Sequence, residues 1–196
     1  MRHVVLLACV VTIAAPCVSV GGVVQWSGNG HWYLAVYDSA GISWQDAKDA
    51  AEIKGGYLAT MDSAEENDFV FSLVSDEKFW FLGASGSEYS FGPWLGGYQT
   101  DDEAGFDQHW HWVTEEPWIY ANWSRYNPNN AGGHENWLHY FTNTQPGTLT
   151  PGSTWNDAPA TNRERGFIIE WPADASAGVP APASTTWGAI KAVYPR

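Results

Sequence analysis

Apolar residues recur along the first part of this chain with two periods, one typical of strands and one typical of helices. Residues 30–37 alternate well enough to predict a first strand. A helix is predicted after Ser43, a favoured N-cap residue with Asp46 at the capping-box position. The helix ends at Gly55-Gly56, and its apolar stripe consists of Trp44, Ala47, Ala50, Ala51 and Ile53.

A second helix and a series of short strands follow, and together they indicate the fold class. The helix is predicted from Ser63, with Glu66 at the capping-box position. Strands are predicted at residues 78–84, 94–98, 110–113, 136–141 and 165–171. Early helices and late strands predict an α+β fold. A long loop-rich segment lies between Trp112 and Trp155, and such loops in compact domains are usually functional.

The two ends of the chain differ in composition from its middle. Arg2 and His3 precede an apolar run at residues 4–15, so we predict that residues 1–22 are a signal peptide. The run is too short to span a bilayer comfortably, and an uncleaved anchor is the alternative. We therefore expect one secreted, extracytoplasmic domain at residues 23–172. An Ala/Pro/Ser linker and a short tail follow at 173–196.

Charge and cysteine content narrow the possible partners. A formal charge of −13 argues against nucleic acid or an anionic membrane as a partner. Both cysteines, Cys9 and Cys17, fall inside the predicted signal peptide. The exported domain would then have no disulfide, so its core or a bound metal must stabilise it.

The loop-rich segment contains a concentration of side-chain oxygens. Two of its amides flank a proline in Asn127-Pro128-Asn129, and a cis bond there would let both carbonyls converge on one ion. Ca²⁺ is bound by about six to eight oxygens from carboxylates, amides, backbone carbonyls and water. For the Asn-Pro-Asn triplet alone, a plain surface turn is the alternative. With their neighbours, five residues predict a Ca²⁺ site: Asn127, Asn129, Glu135, Asn156 and Asp157.

Other chemistry has less support in the sequence. His109 and His111 would face one side of a strand, but no zinc-ligand spacing accompanies them. Glu115 and Glu116 are adjacent, so on a strand they point to opposite faces, which does not suit glycoside cleavage. No catalytic triad or phosphate-loop motif is present, so we expect a binding protein rather than an enzyme.

Several short motifs follow one another in a specific order. They are Ser43-Trp44-x-x-Ala47, Gly55-Gly56-Tyr57-Leu58-Ala59-Thr60, Trp94-Leu95-Gly96, Trp123 ahead of Asn127-Pro128-Asn129, Glu135, Trp155-Asn156-Asp157 and Phe167-Ile168-Ile169-Glu170. In this order they resemble the C-type lectin-like domain, over about residues 26–171. The resemblance implies that family's fold, with two helices, small antiparallel sheets and a long calcium-binding loop region.

The resemblance also implies a function. In calcium-dependent members, a Glu-Pro-Asn or Gln-Pro-Asp triplet, a further Glu and the Asn-Asp of Trp-Asn-Asp hold an ion that binds two neighbouring sugar hydroxyls. By resemblance these roles fall on the five residues named above, and we expect His134, beside Glu135, to contact the sugar. The expected partner is a glycan or glycoprotein with a mannose, glucose or fucose-type diol. A protein-binding or structural module without sugar affinity is the alternative.

This sequence departs from the family pattern at its calcium ligands. An amide, Asn127, replaces the first carboxylate of the triplet, so weaker calcium binding is expected. The family's second calcium site is expected to be poor, because Asn130 and Asn136 stand where carboxylates would help. We expect residues 101–103 to form a solvated acidic loop.

The family's disulfides are also missing. Aligning the motifs places the usual cysteine positions at Ala51 with Ile169, and at Trp137 with Ala160. Each pair joins a small residue to a large apolar one, so we expect packing to fill the volume of each lost disulfide.

Overall fold

The computed structural model describes residues 18–20, 22–100 and 105–175. The predicted linker and tail lie mostly outside these residues, as does the acidic loop at 101–103. The backbone of Val18–Val20 forms a strand, although these residues fall within the segment predicted as a signal peptide. That boundary therefore stays a prediction. In the described part of the chain, no helix is both long enough and apolar enough to cross a membrane.

The two predicted helices are present with the predicted caps. Helix α1 spans Trp44–Ile53, and the Ser43 hydroxyl accepts a hydrogen bond from the Asp46 amide at 3.2 Å. Helix α2 spans Ala64–Ser72, and the Ser63 hydroxyl accepts from the Glu66 amide at 3.3 Å. Each cap satisfies one of the amides that a helix leaves without a partner at its N-terminus.

The strands form one twisted, mostly antiparallel sheet. Their bounds are β1 Val18–Val20, β2 Val24–Gln25, β3 Trp32–Ile42, β4 Tyr57–Leu58, β5 Phe81–Leu82, β6 Tyr89–Gln99, β7 Trp110–Trp112, β8 Glu135–Asn143, β9 Trp155–Pro159 and β10 Glu164–Trp171. The main order is β1-β3-β10-β6-β8-β9, and only β10 and β6 pair in parallel. Two helices with this sheet confirm the predicted α+β class.

Two strand predictions differ from the structure. Residues 78–84 do not form one strand, because the Asp76 carboxylate accepts from the Lys78 amide at 2.9 Å and caps a 3-10 turn at Glu77–Phe79. Residues 155–159, for which no strand was predicted, form strand β9. The buried Trp155 begins this strand, and the strand pairs with β8 through backbone hydrogen bonds. The short polar sequence of residues 155–159 does not predict this pairing.

The core has two apolar clusters on the two sides of the sheet. One includes Trp80, Trp112 and Trp155, and the other includes Trp94 and Trp171; all five indoles are essentially inaccessible. Three of these indoles donate to backbone carbonyls, as Trp94 does to Ile42 at 2.8 Å, and Trp155 donates to the Asn67 side chain. The high tryptophan content is therefore used mainly for packing.

The two positions where the family has cysteine pairs behave differently. Ala51 and Ile169 are both fully buried in the same cluster, as expected if packing fills the first gap. At the second pair, Trp137 packs its ring against Trp44, with centroids 6.4 Å apart. Ala160 is exposed in a turn, so it takes no part in that packing. Packing therefore replaces the first disulfide but not the second.

We expect Ala51→Leu to destabilise the fold by about 1–3 kcal/mol, because a larger side chain overfills a closed core position. The exposed neighbour Glu52 provides a control: Glu52→Leu removes only a surface ion pair with Lys48 and should change stability by less than about 1 kcal/mol. Urea unfolding of both variants measures the difference. Equal effects would show that position 51 is not tightly packed.

Candidate functional site

The long segment between β7 and β8 is attached to strand β9 by its backbone. Trp123 forms an isolated parallel bridge with Trp155. The Ser124 amide donates to the Trp155 carbonyl at 2.8 Å, and the Trp155 amide donates to the Asn122 carbonyl at 2.9 Å. The Asn-Pro-Asn triplet therefore begins three residues after a fixed point on the sheet.

The two amides of the triplet meet each other. The Asn127–Pro128 peptide bond is cis. The Asn127 side chain donates through Nδ2 to the Ser124 hydroxyl at 2.6 Å, and its Oδ1 accepts from Asn129 Nδ2 at 2.5 Å. The two triplet amides are therefore in direct contact with each other.

The Asp157 carboxylate fixes the loop that follows the triplet. It is fully buried, and it accepts from the Asn129 amide at 2.9 Å and from the Asn130 amide at 2.6 Å. Charge-assisted bonds of this kind are stronger than neutral ones. Asp157 therefore holds the backbone of a predicted ligand, Asn129, against strand β9.

Glu135 closes the same loop from the start of strand β8. Its Oε2 accepts from the Ala131 amide at 2.6 Å, and its own amide donates to Asn130 Oδ1 at 3.0 Å. Asn130 thereby serves as a loop-closing acceptor. The short Gly-rich turn between these residues has Gly132 and Gly133 at positive φ, a conformation that glycine adopts readily.

Asn156 lies on β9 beneath the loop, and its amide has a defined orientation. Its Nδ2 donates to the Asp157 backbone carbonyl and lies 3.0 Å from Nε2 of His139. His139 is fully buried, and burial lowers the pKa of its imidazole to about 3, against an opposing effect of the Gly92 backbone. Asn156 is 8% exposed, so only a small part of its side chain is open to solvent.

Four of the five predicted ligands line a single cavity of about 310 Å³. They are Asn127, Asn129, Glu135 and Asn156. Asp157 lies behind them, hydrogen-bonded to the loop. His134 is exposed at the end of the turn and does not line the cavity, so its predicted sugar contact has no support from its position.

The electrostatics of this cavity suit a cation. Burial and the negative charge of Asp157 together raise the pKa of Glu135 to about 7, against the opposing hydrogen bond from the Ala131 backbone. Burial also raises the pKa of Asp157, against the opposing effect of its backbone hydrogen bonds. A divalent cation would stabilise the charged form of both carboxylates. Two carboxylates with three amides are hard oxygen donors of the kind that Ca²⁺ binds. The residues present therefore fit a calcium ion.

The donor set is nevertheless poor in charge. Within residues 22–100 and 105–175, no group of three or more His, Cys, Asp or Glu side chains is arranged to hold a metal. The site depends instead on amides, which carry no formal charge. Its affinity for calcium must come largely from the way the hydrogen bonds hold the ligands in place.

A second cavity, of about 290 Å³, contains residues that the sequence analysis did not assign to any site. Glu66 and Glu170 are both buried there, and the Tyr33 hydroxyl lies 2.6 Å from Glu66 Oε1 and 3.1 Å from Glu170 Oε1. His31 Nδ1 pairs with Glu170 at 2.6 Å. Glu66 occupied a capping-box position in the sequence, which gave no sign that its carboxylate would be buried.

Comparisons with known proteins agree with this architecture. A family model described as the Lectin C-type domain matches residues 40–168. A perlucin-like protein of Mytilus galloprovincialis is 26% identical over 129 residues, which cover 65% of this chain and 69% of that protein. Lectin BRA-3 of Megabalanus rosa is 28% identical over 176 residues, which cover 88% and 91% respectively.

Solved structures share the fold. The cow C-type carbohydrate-recognition domain of CD23, determined with a GlcNAc2Man3 oligosaccharide, has a TM-score of 0.56 and 22% identity, covering 77% of this chain and 93% of that one. A calcium-independent type II antifreeze protein has a TM-score of 0.52 and 18% identity, covering 78% and 97%. Identities this low show the fold alone. The predicted C-type lectin-like fold is confirmed, and this family and fold are generally non-enzymatic.

The second cavity predicts a pH-dependent stability. Burial raises the pKa of Glu66 from 4.5 to about 7, against opposing hydrogen bonds from Tyr33 and Asp62. Between these values the folded chain holds a proton that the unfolded chain has lost. Stability should therefore fall by up to about 3 kcal/mol as the pH rises from about 4.5 to 7.

Replacement of the titrating group tests this expectation. Glu66→Gln should flatten the pH profile of the unfolding free energy, whereas Glu65→Gln, at an exposed position on the same helix, should not. Urea unfolding at several pH values measures both. A profile that stays steep in Glu66→Gln would assign the dependence to other groups.

Proposed function

Because this chain belongs to the C-type lectin domain family, we propose that it binds carbohydrate through a calcium ion held by Asn127, Asn129, Glu135, Asn156 and Asp157. The observation that carries the proposal is the convergence of four of these side chains on one cavity, with Asp157 fixing the loop behind them. A bound calcium ion would supply open coordination positions for two neighbouring sugar hydroxyls.

Each proposed calcium ligand has a distinct role. Glu135 and Asp157 provide the negative charge, and Asp157 also anchors the loop backbone. Asn127 provides an amide oxygen whose direction is set by its bond to Ser124. Asn127 and Asn129 each donate one of their two amide N–H bonds within the loop, so the second can donate to a sugar oxygen, and the carboxylates can accept from sugar hydroxyls. A diol meets both kinds of partner, as its hydroxyls both donate and accept.

The rest of the cavity extends the contact surface beyond the ion. Tyr89, Phe91 and Tyr126 line it, together with Arg125, whose guanidinium lies 4.6 Å from the centre of the Tyr126 ring. Tyr126 is 76% exposed and therefore free to be covered by a ligand. Aromatic rings present large apolar faces to ligands, so these residues would pack against the apolar face of a sugar.

A second candidate function is a protein-binding module without sugar affinity. The observation that favours it is the low charge of the donor set, in which Asn127 Oδ1 already accepts from Asn129. The similar fold of a calcium-independent antifreeze protein supports the same alternative. Calorimetric titration with Ca²⁺ separates the two, because a protein-binding module would retain its fold with millimolar affinity or none.

The proposal also covers where the protein acts and which sugars it binds. The predicted signal peptide at 1–22 supports a secreted protein that meets glycans or glycoproteins outside the cytoplasm. Mannose, glucose or fucose-type diols are the proposed ligands. A glycan array with calcium and with excess chelator tests the mechanism: chelation should abolish binding, and glycan binding that persists in chelator would refute the calcium mechanism.

Removal of a charged ligand should weaken the calcium site. Glu135→Gln keeps the shape of the side chain but removes one of two negative charges, so we expect calcium affinity to fall by about tenfold or more and glycan binding with it. Asp49→Asn, an exposed carboxylate change on α1, serves as the control. Calorimetry measures both, and an unchanged affinity in Glu135→Gln would remove Glu135 from the ligand set.

Addition of a charged ligand should have the opposite effect. Asn127→Glu turns the triplet into the Glu-Pro-Asn form and adds a carboxylate to the site, so we expect calcium affinity to rise by about tenfold. The same titration measures it. A weaker affinity in this variant would show that the bond from Asn127 to Ser124 matters more to the site than charge.

A further inference from the structure

A buried histidine and a buried glutamate lie directly behind the candidate site, and the proposed function does not use them. His139 on β8 and Glu164 on β10 are both fully inaccessible, and His139 Nδ1 lies 3.8 Å from Glu164 Oε1. That separation is too long for a hydrogen bond. Burying the imidazole of His139 is costly, so its retention calls for a reason beyond packing.

The hydrogen bonds around Asn156 determine which way its amide faces. A backbone carbonyl can only accept, so the Asn156 atom that contacts the Asp157 carbonyl must be the amino group Nδ2. The same Nδ2 lies 3.0 Å from His139 Nε2. The imidazole nitrogen must then be the acceptor, which places the ring proton on Nδ1, the atom that faces Glu164.

The amide oxygen of Asn156 is left on the opposite side of its side chain from these two partners. Asn156 lines the cavity with Asn127, Asn129 and Glu135. Its neighbour His139 is held in place by rings on several sides, with centroids 5.8 Å from Phe91 and 5.6 Å from Trp94. A fixed imidazole therefore imposes a fixed orientation on the amide.

We propose that His139 is a positioning residue for Asn156, holding its amide so that Oδ1 faces the cavity as a ligand. The inference rests on the proposed calcium function, because it gives Asn156 a ligand role. It adds one residue, which acts through Asn156 and does not touch the ion or the sugar. An amide ligand needs such help, because its two ends differ, whereas the two oxygens of a carboxylate are equivalent.

A double-mutant cycle tests the coupling. His139→Phe keeps an aromatic ring among its neighbours but removes the acceptor, and we expect calcium affinity to fall by about tenfold. In an Asn156→Ala background the same change should have no further effect. His139→Gln, whose carbonyl can accept from Asn156, should retain more affinity than His139→Phe. His111→Phe, at an exposed histidine on β7, is the matched control.

Two outcomes overturn the proposal. One is wild-type calcium affinity in His139→Phe, and the other is an equal loss of affinity with and without Asn156. The unfolding free energy of each variant without calcium shows whether the fold itself is damaged, since a structural role would lower stability in both backgrounds.

Nitrogen NMR of the calcium-free wild-type protein tests the geometry independently of calcium binding. The proposal expects the neutral His139 ring to carry its proton on Nδ1. A proton on Nε2 would overturn it. If the tautomer is as expected but calcium does not bind, the failure lies with the proposed function and not with the orientation of Asn156.

Discussion

The hydrogen bonds from the loop backbone to the Asp157 carboxylate are the interaction on which the candidate site depends. They join residues 129 and 130 to strand β9 across a sequence separation of more than 25 residues. Closing so long a loop costs conformational entropy, and a buried, charge-assisted bond is strong enough to offset part of it. Without these bonds the triplet and Glu135 would not be held in fixed positions relative to each other.

The last two strands of the sheet hold the other candidate ligands in position. Glu135 begins β8, Asn156 and Asp157 lie on β9, and β9 is the final strand of the main order. An edge strand leaves backbone groups unpaired, and the loop covers them where Trp123 bridges Trp155. Protection of the edge and construction of the site are therefore achieved by the same segment, which explains why a long loop without regular structure is well held.

Local features of the fold were predictable from the sequence because their causes are local. The limits of α1 and the caps at Ser43 and Ser63 follow from short-range spacing. Strand β9 was not predicted, because its stability comes from pairing with β8 and from the burial of Trp155 rather than from its own propensity. Similarly, Glu66 matched a capping motif, yet its carboxylate is buried by contacts with residues more than 30 positions away.

The candidate site was predictable in its residue types but not in its supporting contacts. The five oxygen donors could be proposed from motif and spacing, and the structure brings four of them to one cavity. His139 carried no signal for this role, because it is one of several polar residues in its strand. Its contact with Asn156 exists only after β8 and β9 have paired.

The charge of the protein and the charge of its site are set by different requirements. The chain carries a formal charge of −13, but the candidate site uses only two carboxylates, of which Asp157 is buried and Glu135 is half-buried. Additional buried carboxylates would repel these two and raise the cost of folding without the ion. Amides avoid that cost, but each must be oriented, since only one of its two ends can face a cation. A charge-poor calcium site therefore requires a larger set of hydrogen-bonding neighbours than a charge-rich one, which is the arrangement around Asn127 and Asn156.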